Sequence, residues 1–283
     1  MTVTHPTLIL TLSCPDGPGI VHAVTGLIAG YGGNIVQSQQ FGDPDTGKFF
    51  MRVEIEQTSR EAMEAGMLGL VERFGMTYNL AVQGQPLRTI LMVSKEGHCL
   101  TDLLFRHRSQ GLGIDPVAVI GNHTDLASIA EFYGVPFHHI PVTKDTKEAA
   151  EEQLLALVKE LDAELVVLAR YMQILSDRVC EELQGHVINI HHSFLPSFKG
   201  ARPYAQAHAR GVKIIGATAH YVTADLDEGP IIEQDVARVT HADSVAELVE
   251  IGQDVERRVL AQAVKWHCER RVLPNGHRTV VFA

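Results

Sequence analysis

The feature of the sequence that most constrains the fold is a change in the spacing of its apolar segments at Gly84-Gln85-Pro86. Before this tripeptide, short alternating runs and helical patterns follow one another. After it, fully apolar runs alternate regularly with helical patterns. Because Gly and Pro discourage the continuation of a helix or a strand, and 283 residues suffice for two average domains, the sequence predicts one domain over residues 1–84 and a second over 85–283.

The first domain is predicted to be a ferredoxin-like α/β unit. Runs of alternating apolar residues indicate strands, and apolar residues at three- and four-residue spacing indicate helices. The predicted strands are Leu8–Ser13, Asn34–Phe41, Lys48–Glu56 and Tyr78–Gln83, and the predicted helices are Gly19–Tyr31 and Arg60–Phe74. The resulting order is βαββαβ.

The second domain is predicted to be a doubly wound, Rossmann-like α/β domain. Its short apolar runs alternate with crossover helices, which is typical of a parallel sheet covered on both faces. The predicted strands are Thr89–Val93, Pro116–Ile120, Glu164–Ala169, Val187–Ile190 and Lys213–Ala219. A long helix, Ser244–Cys268, is followed by a hairpin whose turn is Asn275-Gly276.

Composition excludes several classes of partner. The net charge is -10 and no cluster of Lys and Arg is present, so nucleic acid is not expected. No apolar run reaches the roughly 18 residues of a membrane span, and Met1–Thr11 lacks the pattern of a signal peptide. Four scattered cysteines without a CxxC pair suit a reducing compartment. We therefore expect a cytoplasmic protein with no membrane partner.

Polar residues follow two apolar strands of the second domain. One segment contains Asn189 and His191, and the other, His220–Pro230, contains Asp227. An amide can stabilise a developing oxyanion, and an imidazole and a carboxylate can transfer protons, so this set suits acyl chemistry. A lone Asn or Asp at a strand end more often forms a turn or a cap, and the spacing alone leaves that structural role open.

Two other kinds of site are less well supported by the pattern. His191, His192, His208 and His220 could suggest zinc, but adjacent side chains on an extended segment should point apart, and no HxH or HxxxH pair is present. No metal site is therefore predicted. Ser193 lies in no GxSxG elbow, which disfavours a serine hydrolase.

The segments NIHHSFLPSFKGARPY and HYVTADLDEGPII closely resemble the formyltransferase-fold family, which includes glycinamide ribonucleotide and methionyl-tRNA formyltransferases. The resemblance covers Arg88 to Ala283. It implies that Asn189, His191 and Asp227 are catalytic and that the segments Tyr171–Ser176 and Val222–Asp227 bind folate. The substrate-binding residues implied in this way are Met172, Gln173, Leu175, Val222 and Asp225.

Within that family, the segment KEGHCLTDLL is similar to that of the formyltetrahydrofolate deformylases, as is His192. Glycinamide ribonucleotide formyltransferases carry a glycine-rich phosphate loop where this chain has Ser94–Leu100, with one glycine and Glu96. The resemblance therefore implies water as the acceptor and hydrolysis of 10-formyltetrahydrofolate to formate and tetrahydrofolate, with no metal or redox cofactor.

Two alternatives to hydrolysis remain open. One is a formyltransferase with an unidentified amine acceptor, and the other is a non-catalytic amino-acid sensor that retains the folate-binding fold. For His220, a supporting role beside Asp227 and a purely structural role in the core are equally compatible with the sequence.

In the first domain, the segments CPDGPGIV and NIVQSQQF resemble the ACT domain, over residues 5 to 84. ACT domains often pair across subunits and bind amino acids. The resemblance implies an amino-acid effector site at Gly19 and Asn34 and a homo-oligomer. Gly19 would open a helix with unpaired amides, which suits a carboxylate.

Overall fold

The computed structural model of the chain describes residues 6–195 and 203–283, which form two compact units. The first unit runs to Gln85 and also includes Glu269–Ala283, and the second is Pro86–Cys268. The predicted division at residue 84 therefore differs at the C-terminus, where the last segment returns to the first unit. The reason is apolar packing: Leu273 and Phe282 of this segment are buried with Phe50.

The first unit has the predicted βαββαβ order. Its elements are β1 (Leu8–Pro15), α1 (Ile20–Gly30), β2 (Asn34–Asp43), β3 (Lys48–Glu56), α2 (Arg60–Phe74) and β4 (Thr77–Val82). The four strands form an antiparallel sheet in the order β2-β3-β1-β4. Alternate residues of β1, including Leu8 and Leu10, pack against Met63 and Met67 of α2 in one core.

Helix α2 has the predicted bounds because both of its ends carry strong signals. At the N-terminus, the Ser59 hydroxyl accepts a hydrogen bond from the Ala62 amide. At the C-terminus, Gly75 adopts a left-handed conformation with φ of 62°, which is the usual way for glycine to end a helix.

The C-terminal hairpin of the first unit consists of β12 (Val272–Asn275) and β13 (Arg278–Val281). The segment that precedes it supplies hydrogen bonds to a buried cation. Arg52 is only 1% exposed, and its Nε and Nη2 donate to the Glu269 carbonyl at 3.3 and 3.0 Å. Nη2 also forms an ion pair with Glu54 at 2.8 Å. Because a buried charge is costly without partners, this contact ties the chain end to the first sheet.

The second unit contains one seven-stranded sheet. Its strands are β5 (Leu87–Val93), β6 (Ile114–Gly121), β7 (Phe137–His139), β8 (Leu165–Leu168), β9 (Val187–His191), β10 (Ile214–Tyr221) and β11 (Ile231–Arg238). Its helices are α3 (His98–Gln110), α4 (Ala127–Tyr133), α5 (Lys147–Glu160), α6 (Asp177–Glu182), α7 (Pro203–Arg210) and α8 (Val245–Cys268). The order of the strands is β11-β10-β9-β8-β5-β6-β7.

The α/β class of the second unit is confirmed, but its sheet is mixed and not wholly parallel. Strands β5 to β9 are parallel, whereas β10 is antiparallel to both β9 and β11. Apolar periodicity does not encode strand direction. Strand β11 was not predicted because its middle, Glu233-Gln234-Asp235, is polar.

The core of the second unit explains why its central strands read as apolar runs. All four residues of β8 are buried, as expected for a strand with helices on both faces of the sheet. Within the described ranges, no helix is long and apolar enough to cross a membrane.

Candidate active site

Strand β9 places two of the predicted residues on the same face of the sheet. Asn189 and His191 are separated by one residue, and side chains alternate between faces along a strand. Both residues lie towards the carboxyl end of β9, which is parallel to β8. Polar groups at this end of a parallel sheet are in the usual position for ligand binding.

The antiparallel pairing of β9 with β10 brings His220 directly opposite Asn189. The Asn189 Nδ2 atom lies 3.2 Å from His220 Nε2, and His220 Nδ1 lies 2.9 Å from the Tyr221 carbonyl. Since a carbonyl oxygen only accepts, His220 Nδ1 donates to it. Of the two hydrogens of the Asn189 amide, the described residues occupy at most one. His220 is 2% exposed, so it is both a core residue and a neighbour of the predicted site.

The loop after β10 folds back and brings Asp227 to the same place. Asp227 Oδ2 lies 3.3 Å from His191 Nδ1, and Oδ1 lies 3.7 Å from His220 Nε2. The loop can close because Gly229 has no side chain: a Cβ there would overlap the Tyr221 carbonyl. The structure thus brings Asn189, His191 and Asp227 together. The sequence predicted that two parallel strands would deliver these residues at their carboxyl ends, whereas Asp227 comes from the loop after the antiparallel strand β10.

The electrostatics of the site keep Asp227 ionised. Burial raises the pKa of the Asp227 carboxyl, but hydrogen bonds from His191 and His220, and the positive charge that either ring carries when protonated, hold that pKa well below its usual range. A carboxylate of this kind is a weak base. It is well suited to orienting an imidazole and to stabilising the imidazolium form.

One nitrogen of the site has no partner within the part of the chain that the structure describes. His191 Nε2 is buried and forms no hydrogen bond there, although Nδ1 of the same ring faces Asp227. Buried polar atoms without partners are rare in proteins and are commonly functional. This nitrogen is available to a bound substrate.

A cavity of about 220 Å³ opens on these residues. The residues predicted to bind the substrate all line it, as do the predicted catalytic residues. They are Met172, Gln173, Leu175, Val222, Asp225, Asn189, His191 and Asp227. The wall is more apolar than polar near Ile174 and Leu226, both of which are exposed. An exposed apolar wall with a few convergent polar groups is typical of a small-molecule site.

His192 lies beside His191, and their arrangement differs from the prediction that their side chains point apart. The two rings are stacked, with centroids 5.0 Å apart and an interplanar angle of 19°, because β9 ends at His191 and His192 is no longer in an extended strand. Their nitrogens do face different partners, since His192 Nδ1 lies 2.5 Å from Arg170 Nη1. Burial, followed by the positive charge of Arg170, lowers the pKa of His192 from 6.5 to about 4.

A network of buried polar groups lies next to His192 and was not predicted. The Glu256 carboxylate on α8 is 1% exposed. It contacts His98 Nε2 at 2.7 Å, the Tyr204 hydroxyl at 2.5 Å and Arg170 Nε at 3.4 Å. These residues come from four separated parts of the chain, so no local sequence signal announces the network.

Part of this network resembles a metal site by residue type. In the described parts of the chain, His98, Cys99 and Glu256 form the one group of ligand-type atoms close enough to hold an ion. The Glu256 oxygens are already bound by donors, and the guanidinium of Arg170 lies beside them. Burial raises the pKa of the Cys99 thiol well above its usual range, so the thiolate that a metal needs is disfavoured. The group fits a hydrogen-bonded network better than a metal centre.

The two residues of the predicted effector site lie in the first unit. Gly19 precedes α1 with φ of 90°, and Asn34 is the exposed first residue of the edge strand β2. Among the described residues, no hydrogen bond joins the two.

Comparison with known proteins accounts for both units. Residues 87–264 match the formyl transferase family, and residues 8–65 match the ACT domain family. The formyltetrahydrofolate deformylase of Corynebacterium sp. strain P-1 is 52% identical over 278 residues, which is 97% of each protein. The chain belongs to the formyltetrahydrofolate deformylase family.

Solved structures separate this family from the transferases. The crystal structure of formyltetrahydrofolate deformylase from Burkholderia mallei is 48% identical and has a TM-score of 0.95, covering 98% of this chain and 100% of that one. Glycinamide ribonucleotide transformylase 1 from Symbiobacterium toebii is 29% identical with a TM-score of 0.66, and covers 72% of this chain and 98% of that one. The deformylases therefore match both units of the chain, whereas this transferase matches a part of it.

Proposed function

We propose that the chain hydrolyses 10-formyltetrahydrofolate to formate and tetrahydrofolate. Beyond membership of the deformylase family, the observation that carries the mechanism is the unpartnered His191 Nε2, which is buried at the cavity while Nδ1 of the same ring faces Asp227. This orientation leaves one ring nitrogen for proton transfer at the reacting centre.

In the proposed reaction, water attacks the formyl carbon and passes a proton to His191 Nε2. We assign this proton to His191 because the low pKa of Asp227 makes that carboxylate a poor base. The ionised Asp227 positions the water and stabilises the imidazolium. The free hydrogen of the Asn189 amide donates to the formyl oxygen as negative charge develops. The carbon–nitrogen bond then breaks, and the folate nitrogen takes up the proton from His191.

The pteridine and benzoyl parts of the folate are proposed to lie along Met172, Gln173, Leu175, Val222 and Asp225. His220 supports the centre by holding the Asn189 amide, which it contacts at 3.2 Å. We propose that no cofactor takes part, since the reaction adds water to one organic substrate and transfers no electrons.

For the first unit we propose a regulatory role, because the ACT family suggests a small-molecule effector. An amino acid at Gly19 and Asn34 is the proposed ligand, and homo-oligomerisation through this unit is the proposed assembly. We further propose that the protein acts in the cytoplasm, without a nucleic-acid or membrane partner.

The direct test is to incubate the purified protein with 10-formyltetrahydrofolate and no acceptor. Formate and tetrahydrofolate should appear in equal amounts. If neither product appears until an amine is added, the activity is formyl transfer and the hydrolase proposal is wrong. If folate binds and no product forms with or without an amine, the chain is a sensor.

A further inference from the structure

Arg170 adopts a backbone conformation that is unfavourable for its residue type. Its φ is 66°, in the left-handed region that favours glycine. It lies two residues after the buried strand β8 and is itself 8% exposed. An arginine is therefore present where glycine would cost less, which points to a role for its side chain.

The guanidinium of Arg170 is held by groups on three sides. Nε and Nη2 contact Glu96 Oε2 at 3.1 and 3.0 Å. Nε lies 3.4 Å from Glu256 Oε2, and Nη1 contacts His192 Nδ1 at 2.5 Å. A guanidinium cannot accept a hydrogen bond, so His192 is neutral and is fixed with Nδ1 as the acceptor.

Glu256, which contacts Arg170, is itself held by Tyr204 and His98. Tyr204 reaches Glu256 because Gly252, one helical turn earlier on α8, has no side chain, and a Cβ there would overlap the Tyr204 hydroxyl. His98 completes the set. We call these residues the Arg170 cluster: Glu96, His98, Arg170, His192, Tyr204 and Glu256.

Two residues of the Arg170 cluster form the wall of the cavity next to the His191 imidazole. Arg170 and His192 line the cavity together with His191, and the His192 ring is stacked on that of His191. The segments proposed to bind folate, Tyr171–Ser176 and Val222–Asp227, supply other lining residues of the cavity. If folate lies along those segments, the side of His191 that faces Arg170 and His192 is the side left for a nucleophile.

We propose that Arg170 is a specificity-determining residue, whose side chain, together with His192, occupies the volume that an acceptor larger than water would need. This inference rests on the proposed hydrolase function. Without the side chain, a primary amine could reach the formyl carbon. Its nitrogen would bond to that carbon as the bond to the folate nitrogen breaks, and one proton would move from the amine to the folate nitrogen.

The test measures how the formyl group divides between two acceptors. Wild type and Arg170→Gly are given 10-formyltetrahydrofolate and glycinamide, and the ratio of N-formylglycinamide to formate is measured. The ratio does not depend on the amount of active enzyme, so a loss of stability alone does not change it. We expect it to rise at least tenfold in the variant. The matched control, Arg178→Ala, removes an exposed arginine that pairs with Glu182, and its ratio should equal that of wild type.

Arg170→Asn is a second variant, because asparagine also tolerates left-handed backbone and leaves most of the volume empty. An unchanged ratio in a variant that still turns over would overturn the proposal. So would failure of both variants to fold, since the side chain would then be needed for folding. If wild type releases no formate without amine, the hydrolase function itself fails; if it does and the variants keep the wild-type ratio, only this inference fails.

Discussion

Asp227 combines a charge with a left-handed backbone, since its φ is 58°. Aspartate and asparagine tolerate this region better than other residues with a side chain. Replacement by alanine would therefore change both the charge and the backbone energy, whereas Asp227→Asn changes the charge with little effect on the loop.

We expect Asp227→Asn to lower the turnover number about 10²- to 10⁴-fold, because the His191 imidazolium loses its counter-charge. Folate binding should change little. Steady-state formate release and equilibrium binding of tetrahydrofolate measure the two effects. Asp254→Asn, on the exposed face of α8, is the control and should behave like wild type. Turnover near the wild-type value in Asp227→Asn would remove Asp227 from the mechanism.

His192 predicts a pH dependence of stability. Its pKa is lowered to about 4 in the folded state from an ordinary 6.5, so between these values the unfolded chain binds the proton more strongly. Stability should therefore fall as the pH drops from about 6.5 to about 4, and this contribution should be constant above that window.

His192→Asn keeps an acceptor for Arg170 but cannot titrate. Its free energy of unfolding should fall less between pH 7.5 and pH 5 than that of wild type, as measured by denaturant titration. Equal losses in the two proteins would show that the pKa of His192 is the same in the folded and the unfolded chain, which would contradict this prediction.

At the scale of residues, the sequence was informative where polar residues are concentrated in short segments. Asn189, His191 and Asp227 were predicted from two segments to be catalytic, and the structure brings their side chains close together. Arg170, Tyr204 and Glu256 were not, because they converge only through tertiary packing. The left-handed backbone conformation of Arg170 also cannot be predicted from residue type or spacing.

At the scale of elements, the direction of β10 decides how the site is assembled. Its antiparallel register places His220 opposite Asn189, and the loop after it must turn back sharply to deliver Asp227. The sequence located the strand and the polar loop but not the direction of the strand, because β10 is buried on both faces and therefore reads as an apolar run, like the parallel strand β8.

Gly229→Ala tests the role of this turn. Its Cβ would overlap the Tyr221 carbonyl, so the loop must shift and Asp227 must move from His191. We expect hydrolysis to fall at least about tenfold, and stability to fall by about 1–3 kcal/mol as for other overpacked sites. Activity assays and thermal unfolding measure these effects.

The control is Gly69→Ala on the exposed face of α2, where an added Cβ meets nothing. This variant should keep full activity and gain about 0.5–1 kcal/mol, since alanine is the better helix former. If Gly229→Ala also keeps full activity and stability, the close contact between Gly229 and the Tyr221 carbonyl is not needed to position Asp227.

At the scale of the whole molecule, the two units differ in how they use the chain. Pro86–Cys268 is continuous, whereas the first unit is built from both chain ends. The first boundary, between Gln85 and Pro86, falls within the tripeptide Gly84-Gln85-Pro86 at which the apolar spacing changes. The second was not evident, because the docking of Leu273 and Phe282 on Phe50 is a contact between distant segments.

Removal of Glu269–Ala283 should destabilise the first unit selectively. Arg52 would lose its bonds to the Glu269 carbonyl, and Asp43 would lose Asn275, whose Nδ2 lies 2.6 Å from it. Hydrogen exchange should become faster in β1 and β3 and stay unchanged in β5 and β8. The control, Arg278→Ala, breaks only pairs formed by a side chain that is 56% exposed, and should have little effect. If hydrogen exchange in the truncated protein became faster by the same factor in β5 and β8 as in β1 and β3, this prediction would be wrong.

The return of the C-terminal hairpin also sets an order of events during translation. Residues up to Gln85 are synthesised first, yet the carbonyl that accepts from Arg52 and the apolar residues that cover Phe50 are synthesised only after Pro86–Cys268. The Pro86–Cys268 unit is continuous in sequence and can close before Glu269–Ala283 is available. The first unit is therefore expected to complete its folding after the second.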